Sequence, residues 1–204
     1  MSQHSKNLHK PLSSSSLNLE PAFYYFAYGS CMCPVDLQRS LGESVYSYVI
    51  GHATLKDHRL GFYRRSPKRN CGTLDIVPAS GSTVEGVLYH LPGRLSNFLD
   101  EREEVPRRGY RRETVIVDCH QQLYAAVRTY VVEDKLSEEL APNDWYFNVV
   151  MRGAVTCGLP EQYCWNLFHH MHTLQQQSFS RSQPDLYRST HGSLAMLTPT
   201  SAIK

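Results

Sequence analysis

Long apolar runs are missing from this chain: no stretch approaches the ~20 consecutive apolar residues that a membrane-spanning helix needs. An excess of charge of one sign is missing too. The formal net charge is +2, too small a bias to mark a nucleic-acid surface. The first residues are polar and rich in Ser and His, without the apolar core of a signal peptide, so the expected setting is cytoplasmic. Cysteine is too sparse for the dense framework of a small secreted domain: the six lie at 31, 33, 71, 119, 157 and 164. Cys31-x-Cys33 is too close for an ordinary disulfide and lacks the spacing of a thioredoxin-like or zinc motif, so reduced thiols are expected. What remains is an ordinary globular composition. Of the 204 residues 41% are hydrophobic and 20% charged, enough for one domain with a core of its own.

The stretch Tyr24-Tyr25-Phe26-Ala27-Tyr28-Gly29-Ser30-Cys31 organises the rest. Its aromatic and small apolar residues read as a buried strand that runs into a tight loop, with a helix starting at Pro34. Glycine in such a loop lets the backbone approach a ligand, because no Cβ stands in the way. Consecutive backbone N–H groups ahead of a helix are natural donors to an anion or an oxyanion.

Residues 1–21, with the run Ser13-Ser14-Ser15-Ser16, have almost no patterned apolar positions and read as a flexible arm. The folded domain is expected over 22–177, and a loose Ser/Thr-rich tail over 178–204. Within the domain, a short helix is expected from Pro34 to Gly42, then short strands over 45–55, 59–63, 73–77 and 84–91. Helical spacing returns at Leu95, Phe98 and Leu99, and strands follow over 110–117 and 125–132. Two helices come last, one from Asn143 with Trp145, Val149 and Arg152 on one face, the other over 161–176. Six or more short strands interrupted by Gly favour a mixed α+β domain built on a small barrel.

Four constellations compete for the chemistry. The first sets the Gly29-Ser30-Cys31 loop against the acidic helix end Asp100-Glu101-Arg102-Glu103-Glu104. Backbone donors stabilise an oxyanion and a carboxylate moves the proton, which suffices for acyl transfer without a metal. Periodicity leaves the carboxylate unassigned: measured from Leu95 and Leu99, Glu103 lies at the edge of the apolar stripe and Arg102 nearer its centre. The second is Cys31 as a thiol nucleophile. The third, His169-His170-x-His172, is better explained as the wet face of a packing helix than as a metal site. The fourth is the basic set Arg64-Arg65-Ser66-Pro67-Lys68-Arg69, Arg107-Arg108 and Arg111-Arg112, read as solvated loops, with one arginine at a cavity mouth to hold a carboxylate.

Motifs in sequence order separate these. Tyr25-Phe26-Ala27-Tyr28-Gly29-Ser30, Val84-x-Gly86-Val87-Leu88-Tyr89, Leu99-Asp100-x-x-Glu103-x-Val105, Tyr110, Pro142-x-x-x-Tyr146, Gly153-Ala154 and Gly158-Leu159-Pro160 resemble the gamma-glutamylcyclotransferase-like family. The resemblance implies a small mixed β-barrel with packed helices around a cavity. It implies an enzyme that cyclises a gamma-glutamyl amide to 5-oxoproline and releases an amine or amino acid. Glu103 matches the catalytic glutamate; Tyr25, Phe26, Ala27, Tyr28, Gly29, Ser30 and Cys31 match the substrate cradle; Tyr146 matches a ligand-contacting tyrosine. No metal and no organic cofactor is expected, and the partner is a small gamma-glutamyl molecule rather than nucleic acid or a membrane.

Two positions depart from the family pattern. Cys31 stands where the family usually has Asn, and Glu104 where it usually has Gly. The first loses amide donors and a good acceptor; the second puts a side chain into a turn that favours glycine and adds a negative charge beside Glu103. A non-catalytic small-molecule-binding protein that keeps the cavity is the alternative these departures raise.

Overall fold

The computed structural model describes residues 20–182. Of the expected arm over 1–21 only residues 20 and 21 are described, and of the expected tail over 178–204 only 178–182, which continue the last helix; the rest lies outside the described residues. Five strands close into one barrel in the order β1-β3-β2-β4-β5. β1 (Ala22–Ala27) runs antiparallel to β3 (Cys71–Pro92) from Ala22↔Pro92 to Ala27↔Val87. Its other edge meets β5 (Gln122–Val132) in parallel at Tyr25↔Arg128. β2 (Val49–Ser66) and β3 form one long hairpin, and β4 (Tyr110–Cys119) and β5 form another. A single pair, Thr54↔Asp118, joins β2 to β4 and completes the circle.

The mixed barrel with helices is the expected class, but the strands are fewer and longer than their turn signals imply. Asp57 takes a left-handed φ of 57°, and the register shifts between Lys56 and His58. On the facing strand Gly81 has φ 76° and its N–H donates to Asp57 Oδ1 at 2.9 Å. The Asp-His and Ser-Gly signals therefore bend a continuous pair of strands at one level, as a bulge does, instead of ending them. A second shift, between Gly61 and Arg64, frees residues 62 and 63 from the ladder. The segment after β5 takes over their polar groups: Leu136 N–H donates to Tyr63 O at 2.8 Å and Leu140 N–H to Phe62 O at 2.9 Å.

Helices pack around this barrel. α1 (Pro34–Leu41) has Pro in its first turn and ends on Gly42 at φ 78°, as read from the sequence. α2 (Ser96–Arg102) follows β3 and buries Leu99. α3 (Asp144–Thr156) is capped by Asn143, whose side chain accepts the Tyr146 N–H at 2.9 Å. Its buried face is Tyr146, Val149, Val150, Gly153 and Ala154, not the face expected from Trp145. Trp145 is half exposed and Arg152 is exposed as well. Trp145 instead lies against Arg69, a contact that one-face periodicity cannot foresee. α4 (Glu161–Ser182) runs six residues past the expected end at Gln176 and buries Leu167 and Met171. No helix among the described residues is long and apolar enough to cross a membrane.

Candidate active site

The loop after β1 and the end of α2 meet in one cavity of about 520 Å³, its open mouth included. β1 ends at Ala27, and Ser30–Met32 form one tight 3-10 turn before α1 begins. The turn bonds Met32 N–H to Gly29 O, and no backbone acceptor meets the N–H groups of Gly29, Ser30 or Cys31 among the described residues. These are the orphan donors that open any helical turn, here placed in a cavity wall. A Cβ on Gly29 would lie 3.2 Å from the Tyr146 hydroxyl, so glycine is what lets that phenol lie against the cradle. The Leu74 N–H donates to Tyr146 Oη at 3.1 Å, and the phenol's own proton meets no acceptor among the described residues.

Glu103 follows α2 directly, its N–H still bonded to Leu99 O at 3.0 Å. That short backbone tether swings its carboxylate into the cavity opposite the cradle, where the side chain keeps only 14% exposure. Cys31 Sγ donates to Glu103 Oε1 at 2.9 Å. Burial pushes the Cys31 thiol up to about 12; Arg102 opposes that rise and Glu103 adds to it. The thiol is therefore protonated at neutral pH and is a hydrogen-bond donor, not the nucleophile that its position ahead of a helix allows.

Arg102 is the residue that the sequence reading used least. Its side chain is 7% exposed and pairs with Asp36 of α1 at 2.6 Å. It also donates to Ser40 Oγ, to Ser30 Oγ at 3.3 Å and, through Nε, to Cys31 Sγ at 2.8 Å. One guanidinium thus ties α1, the cradle and α2 together. The signal was present, because Arg102 lies near the centre of the apolar stripe where an unpaired charge would be costly.

Glu104 occupies the turn where glycine was expected, at φ 54° and ψ 33°. The left-handed conformation costs a non-glycine residue roughly 1–2 kcal/mol. Its carboxylate turns to Arg64, so the extra negative charge is neutralised by an arginine from β2. Arg64 in turn lies over the Tyr110 ring, whose hydroxyl donates to Leu74 O at 2.8 Å. The run read as a solvated basic loop thus sends two arginines, Arg64 and Arg69, into the cavity wall. Tyr25, Tyr28, Tyr110 and Tyr146 also line it, and burial raises each phenol above its ordinary value, leaving neutral hydrogen-bonding groups.

Of the residues matched to the family site, Tyr25, Tyr28, Gly29, Ser30, Cys31, Glu103 and Tyr146 share the cavity. Phe26 and Ala27 are buried at 0% and 1% but do not line it. Phe26 packs instead against Gly86, where a Cβ would come within 2.7 Å of its ring. Among the described residues no group of three His, Cys, Asp or Glu side chains is placed to hold a metal. His170 packs edge-on to Phe62 and pairs with Glu139 at 3.0 Å.

Residues 83–167 match the AIG2-like family. Over 151 residues, 74% of this chain, the sequence is 34% identical to YkqA from Bacillus subtilis (strain 168), provisionally named a gamma-glutamylcyclotransferase. The gamma-glutamylcyclotransferase of Mus musculus is 28% identical over 145 residues, 69% of this chain and 74% of that protein. The crystal structure of YkqA aligns with a TM-score of 0.69 at 31% identity, covering 75% of this chain and 55% of YkqA. A solved gamma-glutamyl cyclotransferase aligns with a TM-score of 0.65 at 25% identity, covering 72% of this chain and 86% of that one. This chain therefore spans about half the length of YkqA, with 53% of it matched in sequence.

Proposed function

Because the chain is gamma-glutamylcyclotransferase-like in sequence and in fold, we propose that it cyclises a gamma-glutamyl amide to 5-oxoproline, with Glu103 as the general acid/base. The observation that carries this reading is the Glu103 carboxylate, held in the cavity by Cys31 and facing a loop of unpaired backbone donors.

The chemistry asks for those parts. The α-amine of a gamma-glutamyl compound is an ammonium at neutral pH and has no lone pair to attack with. Glu103 takes one proton and frees it. The nitrogen then adds to the γ-carbonyl carbon, and the cradle N–H groups stabilise the oxyanion. As the γ C–N bond breaks, the ring nitrogen gives up a second proton. Glu103 relays both to the departing nitrogen, which leaves as an ammonium. Ring closure is intramolecular, so holding the glutamyl chain folded supplies much of the rate.

The test is 5-oxoproline release from a panel of gamma-glutamyl amino acids and gamma-glutamyl amines, with wild type beside Glu103→Gln. Release by wild type that falls by about 100-fold or more in the variant supports the acid/base role. Equal rates in the two proteins would remove Glu103 from the mechanism. Ligand binding without release by wild type would favour a binding protein built on the same cavity.

A further inference from the structure

The charges of the cavity do not all find partners within it. Arg102 pairs with Asp36, and Arg64 pairs with Glu104. Arg69 also lines the wall, yet among the described residues no carboxylate pairs with it. Its guanidinium is held by aromatic faces instead, 5.1 Å from the centre of the Trp145 ring and 5.8 Å from that of Tyr146. Cation–π contacts of this kind hold the guanidinium by its charge and leave its N–H donors available. Trp145 is half exposed, so this end of the wall is the mouth. Glu103 and Cys31 lie at the other, buried end.

Tyr146 measures the gap between the two ends. Its hydroxyl lies against the cradle glycine, and its ring lies against Arg69. The free guanidinium thus stands about one tyrosine side chain away from the place where the γ-carbonyl would sit. The carboxylate of an α-amino acid joined through the γ-amide has that reach, because it hangs on the carbon next to the leaving nitrogen. The substrate's own α-carboxylate does not face this way. It sits on the carbon bearing the amine that Glu103 must deprotonate, and so stays at the buried end.

We propose that Arg69, clamped by Trp145 and Tyr146, is the site for a carboxylate on the leaving group, so that gamma-glutamyl derivatives of α-amino acids are taken in preference to those of carboxylate-free amines. This rests on the cyclising reading of the cavity. A guanidinium fork matches a carboxylate edge-on with two parallel hydrogen bonds, which a neutral alkylamine cannot return. With an alkylamine substrate the guanidinium gains nothing and the discrimination is lost.

A matched pair of compounds tests this: gamma-glutamylalanine and gamma-glutamylethylamide, which differ chiefly in that carboxylate. Wild type should favour the alanine compound in kcat/KM by about 10- to 100-fold. Arg69→Gln should bring the ratio close to one, and Arg69→Lys, which keeps the charge without the fork, should fall between. A ratio unmoved by Arg69→Gln, whether both rates fall together or neither does, overturns the proposal. Binding of the same two compounds, measured by calorimetry on wild type and Arg69→Gln, separates the two readings. If wild type releases no 5-oxoproline but binds the alanine compound more tightly, and only while Arg69 is present, the subsite stands and the catalytic reading falls. Equal binding, or none, removes the subsite.

Discussion

Cys31 Sγ lies 2.9 Å from Glu103 Oε1 and donates its proton to it. With Arg102 Nε donating to the same sulfur, the thiol proton has one direction left to point. Cys31 therefore holds the Glu103 carboxylate, and on the proposed mechanism it is a positioning residue, in the place where the family pattern usually has an amide.

Removing that donor should separate positioning from folding. Cys31→Ala is expected to lower kcat by about 10-fold with thermal stability nearly kept, whereas Cys31→Asn should hold or raise it. The buried thiol, pushed up to about 12, should also resist iodoacetamide throughout the neutral range. Fast alkylation of Cys31 in the native protein at pH 7 would show that the thiol is not held as described.

Glu104 offers a comparison of two small residues. Glu104→Gly and Glu104→Ala lose the same pairing with Arg64, but only alanine keeps the left-handed strain. The glycine variant should be more stable than the alanine variant by about 1 kcal/mol in urea denaturation. Identical midpoints would mean that the turn does not hold φ 54° in solution.

The Asp36–Arg102 pair is buried on both sides, at 8% and 7% side-chain exposure. Asp36→Asn leaves the buried guanidinium with only the more distant Glu103, at 3.9 Å, as counter-charge and should cost about 3 kcal/mol of stability. The double variant Asp36→Leu with Arg102→Met should be less destabilised than the single one, though its cradle loses the contacts to Ser30 and Cys31. A neutral single substitution would contradict the role of the pair as the tie between α1 and α2.

Asp100 supplies a pH dependence. Burial alone would raise its carboxyl, but hydrogen bonds from Arg112 and Tyr130 outweigh that and hold it below the usual range. A depressed folded value contributes stability above the unfolded value of about 3.9, and this is lost as pH falls through the folded one. Asp100→Asn should therefore lower stability at pH 7 and narrow the difference between pH 7 and pH 3. Parallel acid limbs in the two proteins would speak against it.

Much of this is legible in the sequence. The cradle, the Pro34-to-Gly42 helix and the pairing of Glu103 with the loop follow from local turn chemistry and from ordered motifs. The strand corners at Asp57 and Gly81 are not, because residues that end a strand in one setting bend it in another. Phe26 and Ala27 belong to the same motif as Tyr25 but fill the core, since a motif records neighbours in sequence and not the direction of each side chain. The arginines of the wall come from β2, from the turn after it and from α2, and no linear pattern joins those places.

The strand order sets when the site comes into being. The two long hairpins pair residues near in sequence, so they can zip from their turns. β1 has no such neighbour: it must find β3 and also β5, where Tyr25 meets Arg128 from 103 positions further along the chain. Contacts that distant carry the loop-closure entropy that slows folding. The cradle hangs from the end of this strand, so the site needs β1 docked on β3 with the end of α2 beside it. Neither hairpin alone holds the site: its two halves stand on chain segments that only this distant pairing brings together.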